Sequence, residues 1–179
     1  GFNNTFGSSN VFIGDAAGED NTIGSSNIFI GDWTGKSNTI GESNVFLGAD
    51  AGWSNLNGSY NVFLGTSAGY SNTAGEGNVF LGDDAGYFNT VGLDNVFLGG
   101  SSGYNNTSGE GNVFLGSLAG FENKTGTNNV YLGAEAGYSN ISGIDNVFIG
   151  TGAGYYETGS GKLYISGWDA DSTEALVFG

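Results

Sequence analysis

The sequence predicts an all-β chain that coils into a parallel β-solenoid. A unit of 17 residues repeats eight times between residues 7 and 142 without insertion or deletion, and a ninth unit, 143–158, is one residue shorter. Each unit contains a β-prone segment of the type Asn-Val-Phe-Leu-Gly. Stacked coils tolerate no change of length, because an extra residue would bulge out of its coil. The constant period therefore favours a solenoid over a string of separate domains.

The composition is that of a folded chain and excludes several kinds of partner. Of 179 residues 36 are Gly, yet 38% are hydrophobic and 14% aromatic, more than a disordered chain carries. Three Lys or Arg residues oppose 18 Asp or Glu residues, and the formal net charge is -15. We expect no nucleic-acid partner, because such binding depends on neutralising phosphates. No apolar run approaches the roughly 18 residues of a membrane helix, so we expect no membrane insertion of this segment.

The chain also lacks the side chains on which most catalytic and metal sites depend. It contains no Cys and no His, which excludes disulfides, thiolate zinc sites and imidazole catalysis. No calcium-binding spacing of Asp residues recurs with the repeat, and no nucleophile lies in a recognisable pattern with a base. We therefore expect a protein that is not an enzyme and that has no cofactor and no metal site.

The repeat array is predicted to span 1–159, beginning with a partial coil at 1–6, and 160–179 is predicted to be a C-terminal closing segment. Within each unit the pattern predicts two short strands and two tight turns. Three Gly columns, which begin at Gly7, Gly14 and Gly18, are expected at corners with positive φ or at close backbone approaches. We expect about nine to ten coils, and nine coils that rise about 4.8 Å each give a rod about 43 Å long.

Two columns of the stacked repeat consist of Asn. The second of them contains Asn at 4, 21, 38, 55, 72, 89, 106, 123 and 140 and is interrupted only by Glu157. Stacked amides can hydrogen-bond along the rod, so we predict a structural ladder, with ligand binding as the alternative. The first column has no exception and consists of Asn10, Asn27, Asn44, Asn61, Asn78, Asn95, Asn112, Asn129 and Asn146.

The strand segment is apolar on both of its faces. Side chains alternate along a strand, so Val and Leu point to one face while Asn and Phe point to the other. Strands that are apolar on both faces are buried on both, and we predict that the aromatic column forms an interface between copies of this chain. The alternative is a wider roll that holds these rings inside. The column consists of Phe12, Phe29, Phe46, Phe63, Phe80, Phe97, Phe114, Tyr131 and Phe148.

Two further columns suggest rival functions. An aromatic column after the Ala-Gly turn offers candidate glycan contacts at Trp53, Tyr70, Tyr87, Tyr104 and Tyr138, with Phe121 and Tyr155 completing it. Such a column is more often packing than a sugar-binding platform. A Thr column at 5, 22, 39, 73, 90 and 107 suggests an ice-binding solenoid, but Leu56, Lys124 and Ile141 interrupt it, whereas ice-binding faces need regular ranks.

The repeat resembles known surface-fibre repeats. The segment Ser9-Asn10-Val11-Phe12-Ile13-Gly14-Asp15-Ala16-Ala17 is similar to the Asn-Ser-Val-Ala-Ile-Gly-x-x-Ala motif in the heads of trimeric autotransporter adhesins of the YadA type. It is more similar to 17-residue repeats of bacterial surface and phage tail-fibre proteins, and the segment from Tyr156 to Ile165 resembles the end of such arrays. The resemblance implies a left-handed β-roll, three chains side by side, in an extracellular adhesive fibre.

Together these observations predict a structural and adhesive rod module of a cell-surface appendage, adhesin or tail fibre. Its expected partners are further copies of itself, forming a homotrimer, and surface glycans of a host or of the environment. Its expected location is extracellular, on a cell surface or in a virion fibre. An ice-binding solenoid and a repeat lectin are the alternatives.

Overall fold

The computed structural model describes residues 1–165, and in that range each repeat forms one coil with one three-residue strand. Residues 166–179 of the predicted closing segment lie outside the described part. Ten strands follow one another along the chain. They are β1 (Val11–Ile13), β2 (Ile28–Ile30), β3 (Val45–Leu47), β4 (Val62–Leu64), β5 (Val79–Leu81), β6 (Val96–Leu98), β7 (Val113–Leu115), β8 (Val130–Leu132), β9 (Val147–Ile149) and β10 (Leu163–Ile165).

The strands form a single parallel sheet in the order of the sequence. Each strand pairs with the next in strict register, so that Val11 lies opposite Ile28 and Phe12 opposite Phe29. The same register continues to the last pair, where Tyr164 lies opposite Phe148. The prediction of a parallel β-solenoid with a 17-residue coil is confirmed for the described residues.

The prediction of two strands per coil is wrong. The side of the coil opposite the sheet consists of turns and bends, whose backbone is joined to its neighbours by isolated hydrogen bonds. The amide of Gly18 donates to the carbonyl of Thr34 at 3.0 Å, and that of Thr22 to Thr39 at 2.9 Å. Between the left-handed Gly18 and the close approach at Gly24 the chain has too few extended residues to form a strand.

The Gly columns occupy the backbone positions that the sequence predicts for them. Gly14 and its equivalents have φ between +125° and +141°, and those of Gly18 have φ between +55° and +63°. A Cβ on Gly31 would lie 2.7 Å from the carbonyl oxygen of Gly48 in the next coil. A Cβ on Gly86 would lie 2.5 Å from the ring of Phe80. The column of Gly14 therefore allows the coils to stack, and the column of Gly18 leaves space for the aromatic ring.

The aromatic column lies inside the coil, and the prediction that it forms an interface between chains is wrong. Phe12 is partly buried, at the N-terminal end, and the other eight rings of that column, from Phe29 to Phe148, are fully buried. Neighbouring rings stack 4.6–5.1 Å apart, with planes within 18° of parallel. The alternative of a roll with Phe inside is the one observed, and the Val and Leu columns are left outside.

We predict that the rod tolerates the loss of a whole coil but not of half a coil. Deletion of 75–91 joins Ala74 to Gly92. Because Gly92 is the equivalent of Gly75 in the next unit, all ladders stay aligned. Deletion of 75–83 shifts every later column and turns strand faces outward. Circular dichroism and thermal unfolding should show a cooperative fold for the first variant and loss of it for the second. Equal stability of the two variants would contradict in-register stacking.

Candidate functional site

The first Asn column is a buried ladder that joins each coil to itself and to the next one. Asn78 shows the pattern, since its Nδ2 donates to the carbonyl of Gly92 at 2.8 Å. Its Oδ1 accepts the backbone N–H of Asn95 at 3.0 Å. The Nδ2 bond recurs at 2.7–2.9 Å from Asn10 to Asn146. These amides are used within the fold, which supports the structural interpretation of the column.

The second Asn column forms a ladder with a direction. From Asn21 to Asn106 each Nδ2 donates to the Oδ1 of the Asn one coil earlier, at 2.7–3.0 Å. Beyond that point the direction reverses, because Nδ2 of Asn123 donates to the backbone carbonyl of Asn140 in the following coil. At this reversal the Oδ1 atoms of Asn106 and Asn123 are buried and have no hydrogen-bond partner.

The outer face of the sheet is an aliphatic stripe without charge. We use "aliphatic face" for the outward side chains at the first and third positions of β1 to β10, which are all Val, Ile or Leu. Their exposure reaches 43% at Val11 and 57% at Ile13, and Leu47, Leu115 and Ile149 also count among the exposed large hydrophobic residues. No acidic residue of the described range 1–165 lies in a strand. Acidic side chains such as Asp83 and Glu110 occupy the corners beside the sheet.

The second aromatic column is stacked along the corner that follows the Ala-Gly turn, where its rings are half-buried. From Trp53 to Tyr155 the ring centroids lie 4.8–5.4 Å apart and the planes are within 18° of parallel. Each ring face inside the column is therefore covered by the next ring. The flat faces that a sugar would stack on are not open at Tyr70, Tyr87, Tyr104 and Tyr138, so the geometry favours packing over a glycan platform.

At the N-terminal end of this column, charged residues take the place of the aromatic ones. The same position of the two preceding coils carries Glu19 and Lys36, whose Oε2 and Nζ lie 3.9 Å apart. The Nζ of Lys36 also lies 5.5 Å from the ring centroid of Trp53, which covers the end of the stack by a cation–π contact. The pKa of Tyr87 is raised. Partial burial is the largest cause, and the neighbouring Tyr70 and Tyr104 and the charges of Asp84 and Asp50 add to it.

The Thr column uses its hydroxyl groups within the backbone ladder. Each of the six Thr residues donates its hydroxyl to the carbonyl of the residue one coil further on, at 2.8–3.0 Å. For example, the hydroxyl of Thr22 donates to the backbone carbonyl of Thr39, and the hydroxyl of Thr39 donates to the backbone carbonyl of Leu56. Ice binding requires hydroxyl groups that order water, so this geometry gives no support to the ice-binding alternative.

A recess of about 320 Å³ lies at the N-terminal end of the rod. Gly1, Phe2, Phe12, Ala17 and Glu19 are among the residues that line it. The half-buried ring of Phe12 is the first ring of the internal stack, so the recess continues the core of the first coil.

Within residues 1–165 no group of three or more His, Cys, Asp or Glu side chains is arranged to hold a metal ion. The same residues contain no helix with the length and apolar character needed to cross a membrane. Comparison with protein-family models, curated proteins and solved structures finds no match for this chain.

We predict that truncation of one Asn in the first ladder destabilises the rod severely. Asn78→Ala leaves the Asn95 N–H buried without a partner, at about 1–3 kcal/mol, and leaves the Gly92 carbonyl with only the longer 3.3 Å bond from Nδ2 of Asn89. The exposed Asn57 supplies a matched control, and Asn57→Ala should change the free energy of unfolding by no more than about 0.5 kcal/mol. Chemical denaturation measures both, and equal small effects would show that the ladder does not stabilise the fold.

Proposed function

We propose that this chain is a non-catalytic structural rod that assembles with copies of itself through the aliphatic face. The observation that carries the proposal is the continuous, charge-free stripe of Val, Ile and Leu along ten strands. Charged residues are depleted at the cores of protein interfaces, where aliphatic and aromatic contacts dominate. The many acidic side chains at the corners keep the remaining surface soluble and confine association to the uncharged side.

The size of the aliphatic face supports association with a second copy. Ten coils spaced about 4.8 Å apart, with two side-chain columns per strand, give a stripe roughly 43 Å by 14 Å, or about 600 Å². That is the upper end of the largest apolar patch on a typical monomer. Two such faces packed together would remove about 1,200 Å² from water, the lower bound for a stable, specific interface.

The biological setting that we propose is an extracellular fibre. The fold has the properties of a fibre segment, since its coils are joined by backbone ladders along the whole described length and its two amide ladders are buried. The resemblance of the repeat to the heads of trimeric adhesins and to tail-fibre repeats suggests three chains side by side. In such a bundle each chain would turn its aliphatic face toward the common axis.

We predict that a charge in the aliphatic face dissociates the assembly and leaves the single chain folded. Val96→Lys places an ammonium group in the middle of the face, where burial of an unpaired charge costs several kcal/mol. Val91→Lys is the matched control, because Val91 is 47% exposed at a corner away from the strand. Sedimentation should show a smaller mass for Val96→Lys alone, with circular dichroism unchanged in both variants.

Two results would contradict this proposal. The unmodified chain could sediment as a monomer at all accessible concentrations, or the Val91→Lys variant could lose mass as Val96→Lys does. Either result would mean that the aliphatic face is not where the copies of the chain meet.

A further inference from the structure

The outer aromatic column holds tyrosine rings of adjacent coils in parallel stacks. The ring centroids of Tyr70 and Tyr87 lie 5.0 Å apart with planes 3° from parallel, and those of Tyr87 and Tyr104 lie 5.2 Å apart. Phe121 then interrupts the phenols, and Tyr138 and Tyr155 form a second run with centroids 4.8 Å apart. All five tyrosines are half-buried, so each is partly exposed to solvent.

We propose that this column is a site of oxidative cross-linking, at which neighbouring tyrosines of one chain couple to dityrosine between adjacent coils. The co-reactant is a one-electron oxidant, such as a haem peroxidase supplied with hydrogen peroxide. The proposal concerns the chemistry of the single chain and does not depend on the proposed assembly or on its location.

The coupling joins two phenols through a new carbon–carbon bond. Each of two phenols gives up one electron and its hydroxyl proton, which leaves two phenoxyl radicals with spin density on the ring carbons next to the oxygen. One carbon–carbon bond forms between two of these carbons, and the two displaced hydrogens move to the oxygens, which restores both phenols. The two electrons and two protons reduce one hydrogen peroxide to two waters.

The geometry favours reaction within the chain over reaction between chains. A second radical on the adjacent coil is already about 5 Å away, and holding two reactants in place raises their effective concentration far above that of separate molecules. Partial burial first, and then nearby charges that include Asp84 for Tyr87 and Glu122 for Tyr138, raise the pKa of these two phenols, so each carries its proton before it is oxidised.

Other tyrosines of the chain provide internal comparisons. Tyr131 is fully buried between Phe114 and Phe148, so no phenol lies next to it in its stack. Tyr60 is 61% exposed, and its hydroxyl donates to Glu42 at 3.3 Å, outside the column. Both should stay out of the intramolecular product, although Tyr60 is accessible to the oxidant.

The positions of the three lysines make the test direct. Tryptic cleavage of the denatured chain after Lys36, Lys124 and Lys162 releases two peptides that contain the column. Peptide 37–124 contains Tyr60, Tyr70, Tyr87 and Tyr104, and peptide 125–162 contains Tyr131, Tyr138, Tyr155 and Tyr156. After limited oxidation, mass spectrometry should find peptide 37–124 lighter by two hydrogen atoms, with dityrosine fluorescence. The intact chain should keep the mass of a single chain on a denaturing gel.

Two conservative variants test the role of the column. Tyr87→Phe leaves Tyr70 and Tyr104 two coils, or about 10 Å, apart, and should reduce the cross-link in peptide 37–124 at least tenfold. Tyr60→Phe removes one phenol from the same peptide and should leave the yield unchanged. An equal yield in both variants would overturn the proposal, as would a product that only joins separate chains.

A third variant reports a gain of product. Phe121→Tyr places a phenol between the two runs, in stacking contact with Tyr104 and Tyr138. Oxidation of this variant should join peptides 37–124 and 125–162 covalently within one chain, whereas the unmodified chain should leave them separate. If the peptides stay separate although dityrosine forms elsewhere, the stack does not direct the coupling.

Discussion

Hydrogen bonds from buried Asn side chains are the interaction on which this solenoid depends. The interior of a coil holds one aromatic ring, one small residue and two amides, which is little apolar volume for 17 residues. A backbone that turns so tightly leaves carbonyls and N–H groups facing inward, and each would cost about 1–3 kcal/mol if it were left unpaired. The amides satisfy them, as Asn61 does when it donates to Gly75 and accepts from Asn78. Because each side chain reaches a fixed point of the next coil, the ladder also fixes the period of the repeat.

A ladder of amides has a polarity, and the end of the array determines it locally. Glu157 takes the place of Asn in the second column and offers no amide donor, so Asn140 directs its Nδ2 to the carbonyls of Glu157 and Gly159. Asn123 donates in the same direction, whereas the members from Asn21 to Asn106 donate toward the preceding coil. The two buried, unpartnered oxygens at Asn106 and Asn123 are the result of this conflict. Partial burial opposes the charge of Glu157, but hydrogen bonds from Gly159, Tyr164 and Thr158, together with the charge of Lys162, outweigh it and lower the pKa of this carboxyl.

The sequence predicted the coil, the register and the ladders, but it did not predict which face of the strand lies inside. The alternation of side chains along the strand places Asn and Phe on one face and Val and Leu on the other. It does not indicate which face points inward, because each face carries large apolar side chains. A signal was present, since Asn10 shares its face with Phe12, and a column that is Asn in every unit indicates a buried, fully used amide. The corners were harder to predict. Trp33 and Leu118 adopt φ of +60°, a conformation that costs such residues roughly 1–2 kcal/mol, because the stacked neighbours impose it.

The contrast between inside and outside limits where this protein can carry specificity. Inner columns repeat with almost no variation, because a change there breaks a stack or a ladder in two coils at once. Corner columns vary freely, as the position of Asp15 shows by holding Ala49, Thr66 and Gly100 in later coils. The aliphatic face is the exception, since it is outside and yet restricted to Val, Ile and Leu in all ten strands. Strand propensity alone would also admit Thr or Tyr at these positions. A restriction to aliphatic residues on an outer face is therefore what the proposed contact between copies of the chain requires.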